Sequence, residues 1–308
     1  MTTPHRRVWF LNLDAERELA RPTRPPRLDH GRFTDPLIGT LVPNGDEVAQ
    51  PGVDYTGYRA MAWCPTAGIR ALVLRAGAAF SADTPPPELI ARVVGRDFIA
   101  RERGLALPGA TYVDRAEDLE QALAIESPTE RLLLRHRYGF AGTMRRTCAR
   151  GAPAPADRAF LAKALARGGV LIEPLVHVLC DLAVHGHVGP SLVLGRPTEA
   201  VVNAGGVWVA SRLRSDLQED VLRALTAEAR GCGESLARAG YRGPFGVDAF
   251  LYDHQGHARL AARCELNARY TMGWAVGMGG LRPDLAENSP ASTTADASLR
   301  GKKQSSGP

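Results

Sequence analysis

Two stretches near the C-terminus restrict the fold more than any other feature. Phe245-Gly-Val-Asp-Ala-Phe-Leu251 and Ala258 to Leu266 each read as a strand, and the Asp/His/Gly run at 253–257 reads as the turn between them. Alternate residues of a strand share a face, so Glu265, Asn267 and Arg269 are expected to point the same way. Asp248 lies on the preceding strand, where a hairpin brings it beside Glu265. Two carboxylates and an amide oxygen suit a hard Mg²⁺ ion, which prefers oxygen ligands. A nearby guanidinium suits charge on a transferring phosphoryl group. Taken alone, the pattern fits a solvated strand face with a surface salt bridge equally well.

The rest of the chain predicts a mixed α/β protein. Residues 7–13 read as a buried strand, residues 15–20 as a helix start, and Arg21 to Pro51 as a Pro- and Gly-rich loop. Residues 58–64 and 70–74 read as short strands, and Pro85-Pro86-Pro87 as a linker. From Glu88 to Gly104 the apolar residues fall at helical spacing. A strand at 110–113 follows, then a helix at 115–125 capped by Asp114. Residues 131–135 and 170–176 read as strands, with a helix at 156–167 between them. Residues 179–194 and 200–211 read as antiparallel strands, and 216–239 as a long helix.

Two further segments carry candidate binding residues. The strand ending at Arg135 enters a loop with Gly139 and Gly142, where backbone N–H groups can approach phosphates closely. A plain hairpin turn is the commoner meaning of such spacing. Glu173 lies near the end of its strand, and the backbone through Leu175 and Val176 offers an edge to adenine, with Asp181 beyond it for ribose hydroxyls. An acidic residue at a strand end is the simpler alternative. His185-Gly186-His187 has no carboxylate or cysteine at metal-site spacing, and is read as solvent-facing or satisfied in the core.

The order of these elements resembles the ATP-grasp superfamily of carboxylate–amine ligases over roughly residues 88–280. The resemblance rests on Leu171-Ile-Glu-Pro-Leu-Val176, Gly240-Tyr-Arg-Gly-Pro-Phe-Gly-Val-Asp248 and Glu265-Leu-Asn-Ala-Arg269. It implies an α/β fold in which two α+β lobes clasp ATP, after a small α/β N-terminal domain. The expected divisions are 1–85 for that domain, 86–175 and 176–285 for the two lobes, and 286–308 for a disordered tail.

By resemblance, Asp248, Glu265 and Asn267 hold Mg²⁺ against the triphosphate, and Arg269 meets the acyl phosphate or incoming substrate. Glu173, Leu175 and Val176 meet adenine, Asp181 the ribose, and Arg135, Gly139 and Gly142 the phosphates. Arg135 stands where the family usually has a lysine, and Arg96 falls near a second such position. Guanidinium keeps the charge but is broader and forked. The implied reaction activates a small-molecule or peptide carboxylate with ATP and joins it to an amine. A phosphotransferase and a non-catalytic nucleotide-binding relative are the alternatives. A homodimer is expected from the family alone.

Composition narrows the classes. The net charge of +5 comes almost wholly from arginine, since Lys163, Lys302 and Lys303 are the only lysines. The arginines are dispersed and aromatic residues make up 6%, which provides no stacking platform for nucleic acid. Five scattered cysteines without a C-x-x-C pair suggest neither a disulfide framework nor a zinc site. No apolar run reaches the roughly 18 residues of a membrane span. Val8 to Leu11 is too short for a signal-peptide core, so a cytoplasmic location is expected.

Overall fold

The structure is a computed structural model that describes residues 6–28, 34–124, 129–139, 144–203 and 208–286. Apart from Ala286, the segment expected to form a tail lies outside them.

The N-terminal part is a small parallel sheet with helices. Strand β1 (Arg7–Phe10) leads into α1 (Ala15–Ala20), α2 (Thr34–Leu41), β2 (Glu47–Val48), β3 (Arg59–Ala62) and α3 (Ala67–Arg75). The strand order is β2-β1-β3, with β1 central and parallel to both neighbours. Two expectations fail here. The segment read as loop contains α2, because Leu37 and Leu41 sit four apart and are both buried. The segment 70–74 is helix, not strand. Thr66 caps α3 by accepting from the Ile69 N–H, and Ile69 and Val73 form the buried stripe.

The central part is a four-stranded antiparallel sheet. Helices α4 (Pro87–Val93) and α5 (Arg96–Arg103) come first, where one helix was expected. The break is at Gly95, where a Cβ would press on the paired side chains of Asp97 and Arg137 and force them to shift. Then follow β4 (Thr111–Val113), α6 (Leu119–Leu123), β5 (Arg131–His136), β6 (Arg145–Ala149), α7 (Pro155–Leu165) and β7 (Val170–Pro174). Asp114 does not cap the helix after it; it pairs with Arg101 at 2.6 Å. The sheet order is β4-β7-β5-β6. One face is apolar: Leu132, Leu134, Val170 and Ile172 pack with Leu123 and Leu161. Alternation therefore turns Arg135 and Glu173 to the opposite face.

The C-terminal part is a six-stranded antiparallel sheet. It contains β8 (His177–Val188), β9 (Leu192–Leu194), β10 (Thr198–Val202), β11 (Trp208–Leu213), β12 (Gly243–His254) and β13 (His257–Asn267). The order is β11-β10-β8-β12-β13, with β9 added on β8. The two strands expected at 179–194 and 200–211 are each split in two by a turn or by undescribed residues. Helix α8 (Glu219–Arg238) covers this sheet with Leu225, Ala229, Cys232 and Leu236, a stripe at helical spacing. Each such leucine, once buried, contributes roughly 1.5–3 kcal/mol. The short α9 (Trp274–Met278) closes the sheet's end, and Trp274 donates to the Gly186 carbonyl at 2.9 Å. One large core joins this sheet to the N-terminal part through Trp9, Met61 and Trp63.

Candidate active site

The site grows from the β12–β13 ladder. Asp248 and Glu265 are direct cross-strand partners, and Gly246 opposes Asn267. The register shifts between Asp248 and Phe250, a bulge beside the carboxylates. Asn267 donates from Nδ2 to the Asp248 carboxylate at 2.9 Å. Arg269 donates to Asn267 Oδ1 at 2.9 Å and to Glu16 on α1. The expectation that Arg269 shares a strand face with Glu265 needs correcting. Strand β13 ends at Asn267, and Arg269 reaches the amide from beyond it.

The central sheet and the helix before it supply cations that contact these carboxylates directly. Arg96, at the start of α5, donates to Glu265 at 2.7 Å and to the His136 carbonyl at 2.7 Å. Arg135, on β5, pairs with Glu173 at 2.7 Å and Glu265 at 3.4 Å. It also donates to the Cys264 carbonyl at 2.9 Å. A continuous chain therefore runs Glu173, Arg135, Glu265, Arg96, with Asp248, Asn267, Arg269 and Glu16 alongside. The Nε atoms of Arg96 and Arg135 are buried without a hydrogen-bond partner.

These surroundings set the charges. Burial, then the Glu265 charge, pushes Asp248 up to about 7. Burial also opposes ionisation of Glu265, but Arg96 and Arg135 outweigh it and hold the carboxyl below its usual range. Glu173 is raised by burial despite Arg135. Glu16 is raised by burial despite Arg269.

The donor set suits a hard divalent cation. Asp248 and Glu265 offer carboxylate oxygens and Asn267 an amide oxygen that here accepts from Arg269; the raised Asp248 is a buried carboxylate short of positive charge. No cluster of three or more His, Cys, Asp or Glu side chains stands ready as a metal cage among the described residues. Two carboxylates and an amide fit an ion that completes its shell with phosphate oxygens or water.

The other expected residues fall as follows. Gly139 ends the described part of the loop after β5, and Gly142 lies outside the described residues. Strand β7 ends at Pro174, so Leu175 and Val176 form the link to β8. The Leu175 N–H donates to the Arg131 carbonyl at 2.9 Å, which removes it as a donor to adenine. Asp181 is exposed on β8, opposite Phe250 on β12. His185 is a core histidine held by the hydroxyls of Thr198 and Thr271, each at 2.9 Å. Glu16 was not anticipated. Its one sequence signal is the polar series Asn12, Asp14, Glu16, Glu18, all buried directly after a strand.

No family model and no curated protein matches the chain. Solved structures do. D-alanyl-alanine synthetase A from Vibrio cholerae O1 biovar eltor is similar at 13% identity and TM-score 0.53, covering 90% of this chain and 92% of its own. D-cycloserine synthetase is similar at 14% identity and TM-score 0.52, covering 88% and 97%. N5-carboxyaminoimidazole synthetase from Staphylococcus aureus, complexed with ADP, is similar at 12% identity and TM-score 0.50, covering 86% and 71%. The architecture shared with them is the ATP-grasp fold, and this chain has it.

Proposed function

From the ATP-grasp fold, we propose that the chain is a Mg-ATP-dependent ligase that activates a carboxylate as an acyl phosphate and joins it to an amine. The observation that carries this reading is the ion-pair network between the two sheets. Oxygen ligands on β13 and β12 face two guanidiniums from α5 and β5. Such an arrangement suits a nucleotide triphosphate with its metal. Residues 86–175 and 176–285 serve as the two lobes of the clasp, behind a domain at 1–85.

In this reading Asp248, Glu265 and Asn267 hold Mg²⁺, which when bound neutralises phosphate charge. Arg96 and Arg135 turn from carboxylates to phosphate oxygens, and the backbone N–H groups of Gly139 and Gly142 are assigned to the phosphates with them. Glu173, the Leu175 carbonyl and the Val176 backbone meet adenine, and Asp181 the ribose. Arg269, kept ionised by Glu16, faces the acyl group where charge builds up. The protein's contribution is alignment and charge neutralisation, with no covalent residue. Small-molecule or peptide acids and amines are the substrates. A cytoplasmic setting accords with the lack, among the described residues, of a helix long and apolar enough to cross a membrane.

Calorimetric titration of Mg-ATP into wild type and the Glu265→Ala, Asn267→Ala double variant tests the site. Binding by wild type that weakens in the variant, or without Mg²⁺, supports it and precedes a screen of acids and amines for ADP release. A folded wild type that ignores Mg-ATP refutes it.

A further inference from the structure

A cavity of about 710 Å³ lies between the N-terminal sheet and the large C-terminal sheet. Its size is that of a small-molecule site, commonly about 300–1,000 Å³. Strand β3 runs along one wall. Ala60 and Ala62 pack inward with Val8 and Phe10, whereas Met61 and Trp63 pack toward Phe245, Tyr270 and Trp274. By alternation Arg59 shares the face of Met61 and Trp63, which is turned to the large sheet. From Arg59 to Trp63 the strand rises about 13 Å, at roughly 3.3 Å per residue.

The two ends of the cavity differ. At the Trp63 end stands Arg269, whose guanidinium lies over the Trp63 ring at 5.5 Å. Arg269 is bonded to Asn267, and Asn267 to Asp248, so this end is joined to the carboxylates of the active site. Arg59, four residues earlier on the same face, lies toward the other end, and the exposed Arg242 from the α8–β12 link also lines the cavity. Among the described residues, neither forms an ion pair with a carboxylate. The Nε of Arg59 is buried without a partner. This contrasts with Arg269 and the nearby Arg282, which are paired with Glu16 and Asp284. Asp83 also lines the rim, with an interaction of its own, and Asp284 is held by Tyr270 and Arg282. The rest of the lining is mostly apolar and aromatic, with Met61, Phe80 and Tyr241, and includes the polar Ser81, Thr84 and His187.

We propose that this cavity takes an elongated acid: the reacting carboxylate at the Arg269 end, an apolar middle, and a second anionic group held by Arg59 and Arg242. The proposal rests on the ligase reading for what happens at the Arg269 end. Its substance is the selection of a substrate with anions at both ends, made by two arginines left without carboxylates.

The test compares suberate, an eight-carbon dicarboxylate, with octanoate, the same chain with one carboxylate. Each is titrated calorimetrically into the full chain, with and without Mg-ADP. Suberate is expected to bind about tenfold more tightly than octanoate. The Arg59→Gln, Arg242→Gln double variant is expected to lose that preference and to bind octanoate as wild type does. Arg59→Lys should keep most of it. Equal binding of the two acids overturns the proposal, as does a preference that survives in the double variant. No binding of either acid at millimolar concentration also overturns it. The Mg-ADP titration separates the two readings. A chain that prefers suberate but ignores Mg-ADP refutes the ligase reading alone. One that binds Mg-ADP without discriminating the acids refutes only this proposal.

Discussion

Replacing Glu265 with Gln should make the chain bind nucleotide better when no metal is present. Glu265 holds Arg96 at 2.7 Å and Arg135 at 3.4 Å, with side chains only 9%, 12% and 19% exposed for Arg96, Arg135 and Glu265. With an effective dielectric of about 20, each contact has a Coulomb energy of roughly 5–6 kcal/mol. An incoming phosphate recovers most of that by taking over the guanidiniums. Metal-free nucleotide, however, must also leave Glu265 charged, half-buried and facing phosphate oxygens. Glu265→Gln removes that repulsion and frees the arginines. If a quarter of one contact energy survives the exchange, the gain is about 1.4 kcal/mol, or roughly tenfold in affinity. The assay is ADP titration in EDTA and in Mg²⁺, on wild type and variant. The expected outcome is tighter metal-free binding by the variant and a much smaller benefit from Mg²⁺. A folded variant that binds metal-free ADP no better than wild type would show that Glu265 does not restrain the arginines, and the reasoning fails.

Three further outcomes follow from the same geometry. Glu16→Ala leaves Arg269 buried without its carboxylate, so chemical denaturation should show a loss of about 3–5 kcal/mol. A loss under 1 kcal/mol, on the same scale, would mean that Arg269 finds another partner. Burial opposes ionisation of Glu228, but Arg103 and Arg263 outweigh it and pull its pKa from 4.5 down to about 2. The folded value is the lower one, so this stabilisation is present above 4.5 and is lost as pH falls toward 2. Glu228→Gln should be less stable at neutral pH and show a flatter acid limb; an unchanged acid limb would refute the assignment. Arg135→Lys keeps the charge but cannot reach Glu173, Glu265 and the Cys264 carbonyl together. Its melting temperature should fall by a few degrees, the equivalent of about 1 kcal/mol.

How much of this was legible in the sequence depended on distance along the chain. The Asp248, Glu265 and Asn267 set was readable because a hairpin is local and strand alternation is strict over two residues. The Arg135–Glu173 pairing follows once two alternating strands are recognised as neighbours. The Glu16–Arg269 contact spans 253 residues and the Arg96–Glu265 contact 169, and no short-range pattern encodes either. Helix α3 was misread for a different reason. Ala71-Leu-Val-Leu74 is an apolar run that serves strand or helix, and the deciding facts are the Thr66 cap and the Ile69–Val73 spacing. Helix α2 hid in a Pro- and Gly-rich stretch whose composition outweighed the Leu37–Leu41 pair.

The use of arginine at positions 96 and 135 has a chemical consequence of its own. An acyl phosphate is an electrophile, and an amine held against it would be acylated in place of the intended nucleophile. Guanidinium stays protonated at any physiological pH and is a poor nucleophile. The only lysine among the described residues, Lys163, lies on α7, on the far side of the central sheet's apolar layer from Arg135. Under the ligase reading, no lysine among the described residues stands where an activated acid would acylate it. Nucleotide reagents that label lysine should leave Lys163 unmodified.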